Sequence, residues 1–371
     1  MVYSFQQNNR YTQHNETGFR VFGVSANGRY DKPIVFLVGT GEKSMADKIR
    51  WGILGAGNIA NSFATGLQAL NDAELVAVGS REAEKAEAFG SKYNIPHRHT
   101  GYDALVNDPD VDAIYVSTPH PFHHPHTVLA LQAGKAVLCE KPFAINEDEA
   151  SDMIALARER GLFLMEAMWT RFLPVMVKIR ELIKDGAIGE PRMLTADFGF
   201  RTSFNPQGRL FAPELGGGAL LDVGIYPVSL AFMLFGKPAG IASQADLGQT
   251  GVDEQSAVLF RYDGGQLALL SSATRTNTPQ EAVIAGTEGS IRIHSPWWNG
   301  RQFTLTKNGE DEVFAPPTEG NGYNYEAAEV GRCLRAGKLE SDVMPLEESR
   351  VIMDTLDTIR AQWGLKYPGE G

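Results

Sequence analysis

Ile49-Arg50-Trp51-Gly52-Ile53-Leu54-Gly55-Ala56-Gly57-Asn58-Ile59-Ala60 is the stretch on which the fold turns. Residues 49–54 form a mostly apolar run of strand length. Two glycines interrupt it, and Phe63, Leu67 and Leu70 then recur at helical spacing, so the segment reads as strand, tight turn and helix. A second strand over residues 74–79 ends at Ser80-Arg81, and a charged helix over 82–93 follows. Strands at 112–117 and 136–139 flank a helix over 125–133 that Gly134 closes, and the later strand runs into Glu140-Lys141-Pro142. Helices over 146–160 and 173–184 come next, with a short strand at 162–165 between them. Strands alternating with helices predict a parallel sheet.

Beyond Pro191 the period shortens to two. Strands are expected at 193–200, 240–246, 254–262, 265–272, 281–285, 290–293 and 302–307, which is the texture of a large, mostly antiparallel sheet. Gly216, Gly217 and Gly218 lead into an apolar helix over 220–235, and a periodic stretch over 346–363 closes the chain as a helix. The fold class is therefore α/β: a Rossmann domain over residues 49–170, then an α+β domain with an open sheet over 171–371. Residues 1–48 are polar and irregular and form a tail outside the fold. Either the tail is a disordered segment or the start belongs at Met45, just ahead of the first strand.

With 371 residues the chain exceeds what one hydrophobic core usually organises. A net charge of −11 argues against nucleic acid or an anionic membrane as the main partner and leaves a small molecule. Cys139 and Cys333 are too few for a disulfide framework or a thiolate metal site, which fits a reducing, cytoplasmic location. No stretch reads as the roughly 20 apolar residues that span a bilayer.

The opening motif carries the first functional expectation. Gly55 permits the turn and Gly57 lets the backbone approach a pyrophosphate. Asn58 and Ile59 begin a helix whose amides face it, and Ala60 allows close packing of helix on strand. A glycine turn that merely packs a helix is the plainer reading, but strand, turn and helix lie in a βαβ unit of the right length for a dinucleotide. An NAD site usually places a carboxylate at the end of the second strand, about 20 residues on. Here Ser80 and Arg81 stand there, a hydroxyl and a guanidinium suited to a 2′-phosphate, so NADP is expected over NAD. The alternative leaves Arg81 in solvent and gives the ribose to Glu82 or Glu84.

Lys141 lies at the C-terminal end of a parallel strand, where open α/β sheets bind their ligands. An ammonium there can stabilise a developing alkoxide, with burial tuning its pKa toward acid–base work. The Rossmann fingerprint, Glu140-Lys141-Pro142, and the glycine run leading to Asp222-Val223-Gly224-Ile225-Tyr226 together resemble the Gfo/Idh/MocA oxidoreductases over roughly residues 49–365. Ser80-Arg81 and Glu166-Ala167-Met168-Trp169-Thr170-Arg171-Phe172 are similar to its branch of dimeric dihydrodiol and NADP-linked D-xylose dehydrogenases.

The resemblance implies that Lys141 and Tyr226 share the proton work on a substrate hydroxyl, that Asp222 orients or balances the lysine, and that the peptide before Pro142 is cis. It also implies that Thr118, His120, His123 and Glu140 surround the nicotinamide. Trp169, Phe198, Arg201 and Trp298 would line the substrate cleft, although strand aromatics are as often core.

On one helix Asp222 and Tyr226 would share a face, but Pro227 predicts a kink or a helix start near Tyr226. His120, His123, His124 and His126 raise a metal reading, which the surrounding prolines and the lack of a nearby cysteine or carboxylate disfavour. The substrate expected is a sugar, polyol or cyclic diol. Two alternatives keep the nucleotide: NAD-dependent cleavage of glycosidic bonds, and a non-catalytic nucleotide-sensing regulator. Homodimers or higher homo-oligomers through the second sheet are expected.

Overall fold

Strand β1 (Ile49–Leu54) sits at the middle of the first sheet because its side chains are buried on both faces. A computed structural model describes residues 48–370, so the tail lies outside the described residues. Around β1 run β2 (Ala73–Ser80), β3 (His97–Thr100), β4 (Ala113–Val116), β5 (Ala136–Glu140) and β6 (Leu164–Ala167), in the order β3-β2-β1-β4-β5-β6 and all parallel. Helices α1 (Asn58–Leu67), α2 (Ala83–Tyr93), α3 (Tyr102–Val106), α4 (His123–Gln132) and α5 (Glu147–Arg160) connect them. Beneath α1, Phe63 stacks on Tyr115 with centroids 3.8 Å apart and meets Trp51 edge-on at 5.2 Å. This aromatic layer fixes α1 against the sheet.

Helix α6 (Pro174–Lys184) leads into the second sheet. Its strands are β7 (Pro191–Gly199), β8 (Gly240–Leu247), β9 (Asp253–Arg261), β10 (Leu267–Ala273), β11 (Ala282–Gly286), β12 (Gly289–Ile293), β13 (Phe303–Lys307) and β14 (Glu310–Phe314). The order is β14-β13-β12-β11-β7-β10-β9-β8, antiparallel except where β7 runs parallel to β10. One face carries α7 (Ile225–Phe235), and α9 (Leu346–Trp363) packs on both α7 and α5.

Four elements depart from the sequence reading. β3, α3, β14 and α8 (Tyr323–Arg335) were not expected. α8 packs against α1, so chain from beyond the second sheet returns to the first. The helix expected over 220–235 divides, with a π-helical turn at Leu220–Gly224 and α7 beginning one residue before Tyr226. Finally, the segment Pro213–Phe235 is long and apolar enough to cross a membrane, contrary to the expectation that none was. Most of it is buried here as core.

Candidate active site

The C-terminal ends of β1, β4 and β5 open into one cavity of about 410 Å³ whose lining includes Gly57, Thr118, His120, Lys141, Arg209 and Asp222. Gly55 takes φ +106°, and a side chain there would press on Ser117 Oγ at 3.1 Å, so glycine is required. Gly57 caps α1 with nothing within 4 Å of where a Cβ would stand, and no side chain caps the helix. The first-turn amides of Asn58 and Ile59 thus face open space, which suits a pyrophosphate. Ala60 is fully buried under them.

Ser80 is buried at the end of β2, and its Oγ accepts from the Glu82 amide at 3.3 Å. Arg81 is exposed beside it, while Glu82 is paired outward with Lys85 at 2.7 Å. Burial raises the Tyr102 pKa, and the Arg81 guanidinium opposes that rise, which places the phenol near the strand end. Tyr102 meets His126 edge-on at 4.6 Å, and His126 Nδ1 is 2.9 Å from Thr118 Oγ1.

Lys141 Nζ donates to the Asp222 backbone carbonyl at 2.7 Å, lies 3.7 Å from Asp222 Oδ1 and sits 4.9 Å from the Tyr226 ring centre. Asp222 is clamped from the other side by Arg209 Nη1 at 2.7 Å. Burial alone would raise the Asp222 carboxyl, but the Lys141 and Arg209 charges outweigh it and hold the pKa at about 2. Burial likewise pulls Lys141 down, yet the anionic forms of Tyr226, Asp222 and Glu140 carry it above its usual value. Burial was expected to tune the Lys141 pKa toward acid–base work; its anionic neighbours instead outweigh burial, Tyr226 most, then Asp222 and Glu140. Burial raises Tyr226 as well. Glu140 lines the cavity and accepts the Tyr115 hydroxyl and the Lys141 amide. The Lys141–Pro142 peptide is cis.

The histidine run does not converge. His120 Nδ1 faces the Gly216 carbonyl at 3.1 Å, and His124 Nε2 pairs with Asp152 at 2.7 Å. His123 stands between the carbonyls of Pro142 (2.7 Å) and Thr118 (2.8 Å). Two carbonyls favour an imidazolium, but burial dominates and draws His123 to about 4, as it draws His120 to about 3, so both rings are neutral at pH 7.

Above Lys141 an aromatic box forms around Tyr226. Trp169 Nε1 donates to its hydroxyl at 3.1 Å, Phe198 lies 5.3 Å and Trp298 6.4 Å from its ring, and Phe198 and Trp298 stack at 4.7 Å. Tyr323 stacks on Trp169 at 4.7 Å. Arg201 stays outside: it is exposed, its backbone bridges to Arg275, and among the described residues its guanidinium has no hydrogen-bond partner. Arg209, Tyr323 and Tyr102 went unnoticed in the sequence. Arg209 lies on an irregular loop with no periodic signal, whereas Tyr323 and Tyr102 begin helices that were themselves missed.

Comparison with known proteins agrees with this geometry. The model of an oxidoreductase family with an NAD-binding Rossmann fold, GFO_IDH_MocA, matches residues 49–168, and that of the GFO/IDH/MocA C-terminal domain matches 176–292. Trans-1,2-dihydrobenzene-1,2-diol dehydrogenase of Mus musculus is 42% identical over 332 residues, which is 86% of this chain and 98% of the relative. Its Homo sapiens counterpart is 38% identical with the same coverage. Among solved structures, aldose-aldose oxidoreductase from Caulobacter crescentus, complexed with glycerol, superimposes with a TM-score of 0.79 at 26% identity, covering 86% of this chain and 98% of that one. A 3-ketoreductase from Actinomadura kijaniata, in complex with NADP and TDP-benzene, gives 0.77 at 26% identity over 85% and 98%.

Proposed function

The chain belongs to the Gfo/Idh/MocA oxidoreductase family, and from that membership we propose that it oxidises or reduces a hydroxyl-bearing carbon of a sugar, polyol or cyclic diol through Lys141 and Tyr226. NADP is the cofactor, and when bound it supplies the hydride donor or acceptor. The residues fit it: the uncapped turn at Gly57, Asn58 and Ile59 takes the pyrophosphate, and Ser80 with Arg81 takes the 2′-phosphate. Thr118, His120 and His123 flank the cavity beside Lys141. The glycosidic-cleavage and regulator alternatives are not favoured, because the relatives are named dehydrogenases and reductases.

One observation carries the reading: Lys141, at the end of β5, lines the cavity that the glycine turn enters, and its Nζ sits 4.9 Å from the ring of Tyr226 on α7, both groups having raised pKa values. Both are protonated at neutral pH. Trp169 occupies an acceptor position on the Tyr226 oxygen, which leaves the phenolic proton free for a substrate oxygen. Lys141 adds positive charge where an alkoxide develops. Asp222 fixes the lysine through its own carbonyl and is held ionised by Arg209, so it orients without taking the proton. Trp298, the partly exposed member of the box, offers aromatic surface to a ring-shaped substrate, with Phe198 and Trp169 buried and stacked behind it.

The test is absorbance of reduced nicotinamide on mixing the protein with NADP, or with NAD, against D-xylose, D-glucose, inositols, dihydrodiols and 1,5-anhydrofructose. Turnover with NADP on one of them is expected, and silence with both cofactors despite nucleotide binding overturns the reading. The same proposal divides the chain at residue 170 into nucleotide and substrate domains and locates it in the cytoplasm, where the buried thiols of Cys139 and Cys333 stay reduced.

It also includes a homodimer through the outer face of the second sheet. Leu259 and Leu269 are paired across β9 and β10 and are 41% and 45% exposed, with Ala242 opposite Leu259 on β8, so a second copy would cover a continuous apolar stripe. Sedimentation of Leu259→Arg should show a shift to monomer.

A further inference from the structure

Away from the cleft, edge strand β3 carries His97 and His99 on one side, and both rings close on one carboxylate. His97 Nδ1 lies 2.6 Å and His99 Nε2 2.8 Å from Oδ2 of Asp108, on the loop between α3 and β4. These three ligand-type atoms all lie within 4.8 Å of one another. The rings are nearly perpendicular, at 84°, so they approach the oxygen from different directions. Neither histidine belongs to the run at 120–126, and the proposed oxidoreductase chemistry uses none of the three.

The surroundings look built for a ligand set. Asp108 is buried, and its other oxygen accepts the Asp110 amide at 2.9 Å, which fixes the carboxylate. Lys135 Nζ bonds the backbone carbonyls of Asp108 and Val111 at 2.6 and 2.8 Å, which fixes the loop. Asp110 Oδ2 stands 3.9 Å from His97 Nε2, the nitrogen that faces away from Asp108. A metal-bound histidine typically directs its second nitrogen at a carboxylate in this way, which sets the tautomer. Arg50 engages Asp110 and Asp112, so the local charges are Asp108, Asp110 and Asp112 against Arg50 and Lys135, a net negative pocket.

We infer that His97, His99 and Asp108 form a site for one divalent transition-metal ion of the zinc type, with solvent completing the coordination. Two imidazoles and one carboxylate suit zinc's preference for nitrogen and oxygen donors and its four-coordinate geometry. On binding, Nδ1 of His97 and Nε2 of His99 give up the protons they now donate to Asp108, either to solvent or to the opposite ring nitrogen, so that His97 carries its remaining proton on Nε2 toward Asp110, His99 carries its own on Nδ1, and the freed nitrogens become ligands. With bonds of about 2.0–2.2 Å in tetrahedral geometry each histidine nitrogen moves from its present 2.6 or 2.8 Å to about 3.4 Å from the carboxylate oxygen, a shift of about 0.6–0.8 Å. The histidine side chains, 36% and 24% exposed, have room to move that far. Thr100, next to His99, pairs with Ser80 across β2 and β3, so the ion would tie down the strand that backs the Ser80-Arg81 turn.

Chelator-treated full-length protein is titrated with Zn²⁺ by calorimetry and with Co²⁺ as an optical probe of the ligand field, and its melting temperature is read with and without Zn²⁺. One saturable equivalent per chain is expected, together with a rise in melting temperature. His97→Gln and His99→Gln should each weaken Zn²⁺ binding by at least about tenfold, since even outer-shell losses cost that much. Each variant's metal-free melting curve separates ligand loss from misfolding, and Asp108→Asn serves as a further variant if one of them fails to fold. His124→Gln, on α4, should keep the full equivalent. No saturable binding by the wild-type chain, or an equivalent that survives in the His97→Gln/His99→Gln double variant, overturns the assignment. None of these readings requires turnover, so they stand apart from the dehydrogenase assay.

Discussion

Trp169 donates its indole N–H to the hydroxyl of Tyr226 across 3.1 Å, inside a box where both rings are buried. This bond decides which way the phenolic proton points. Trp169→Phe keeps an aromatic face against Tyr323 but removes the donor, so kcat should fall about tenfold while KM moves less. Tyr226→Phe removes the proton itself and should lower kcat by about 10²–10⁴. Steady-state kinetics on both variants checks this, and an unchanged Trp169→Phe would mean that packing alone orients the phenol.

Arg209 is the nearer of the two cations on Asp222. In Arg209→Ala the carboxylate should swing toward Lys141 and immobilise it. Loss of one charge-assisted hydrogen bond predicts a drop in kcat/KM of about 10- to 100-fold, partly restored by Arg209→Lys. Wild-type kcat/KM in Arg209→Ala would reduce Arg209 to a surface pairing.

The direction of reaction should follow pH with a fixed sign. Lys141 and Tyr226 both have raised pKa values, so each holds its proton below its folded pKa and releases it only as the pH climbs. Reduction needs the proton donor present and should lose rate in alkali. Oxidation needs a base and should gain. Rate profiles in both directions test this, and Tyr226→Phe should flatten the alkaline limb.

At the end of β2, Ser80→Asp places a carboxylate where a 2′-phosphate is proposed to sit. The KM for NADP should rise by about tenfold or more while NAD turnover improves, because like charges at contact repel strongly in a half-buried site. An unchanged KM for NADP would move the phosphate elsewhere.

Stability should depend on Asp253, which is buried on β9 with its Oδ2 accepting the Leu220 amide at 2.7 Å. Burial raises its pKa from 3.8 to about 7. The folded chain therefore holds a proton that the unfolded chain has shed. This contribution is complete below pH 3.8 and is lost as the pH rises to about 7, with a slope of at most about 1.4 kcal/mol per pH unit. Asp253→Asn can still accept the Leu220 amide and should flatten urea-unfolding stability between these limits.

Residues that combine local pattern with position were readable in advance. The turn at Gly55 and Gly57 announced itself because a buried strand and an amphipathic helix flank it, and Lys141 did so by ending a strand that begins in apolar sequence. Tyr226 was reached through family likeness, since an aromatic in an apolar helix carries no periodic mark of its own. α8 escaped because its buried face includes Asn324 and Glu326, which break the apolar rhythm that signals a helix. β3 escaped because its inward residues are the two histidines that close on Asp108. Arg209 depends on a loop whose path only the folded chain defines, and Arg201, two residues past the end of β7, fell outside the box although Phe198 on that strand lies in it.

The turn from Leu220 to Gly224 sets a phase. A π-turn holds nearly one residue more than an α-turn, so Asp222, within it, is rotated relative to Tyr226 by up to about 100° from the place an unbroken α-helix would give. Ile225 bonds back to Leu220, five residues away, and Pro227 has no N–H with which to claim the carbonyl of Val223. The proline ring would also collide with that carbonyl if the turn tightened, so the extra residue cannot be squeezed out by slippage. Removing a single residue from this turn would leave Tyr226 in place and swing the aspartate off both its cations, so the cleft's charge pattern is set by how many residues the helix counts as well as by which ones it carries.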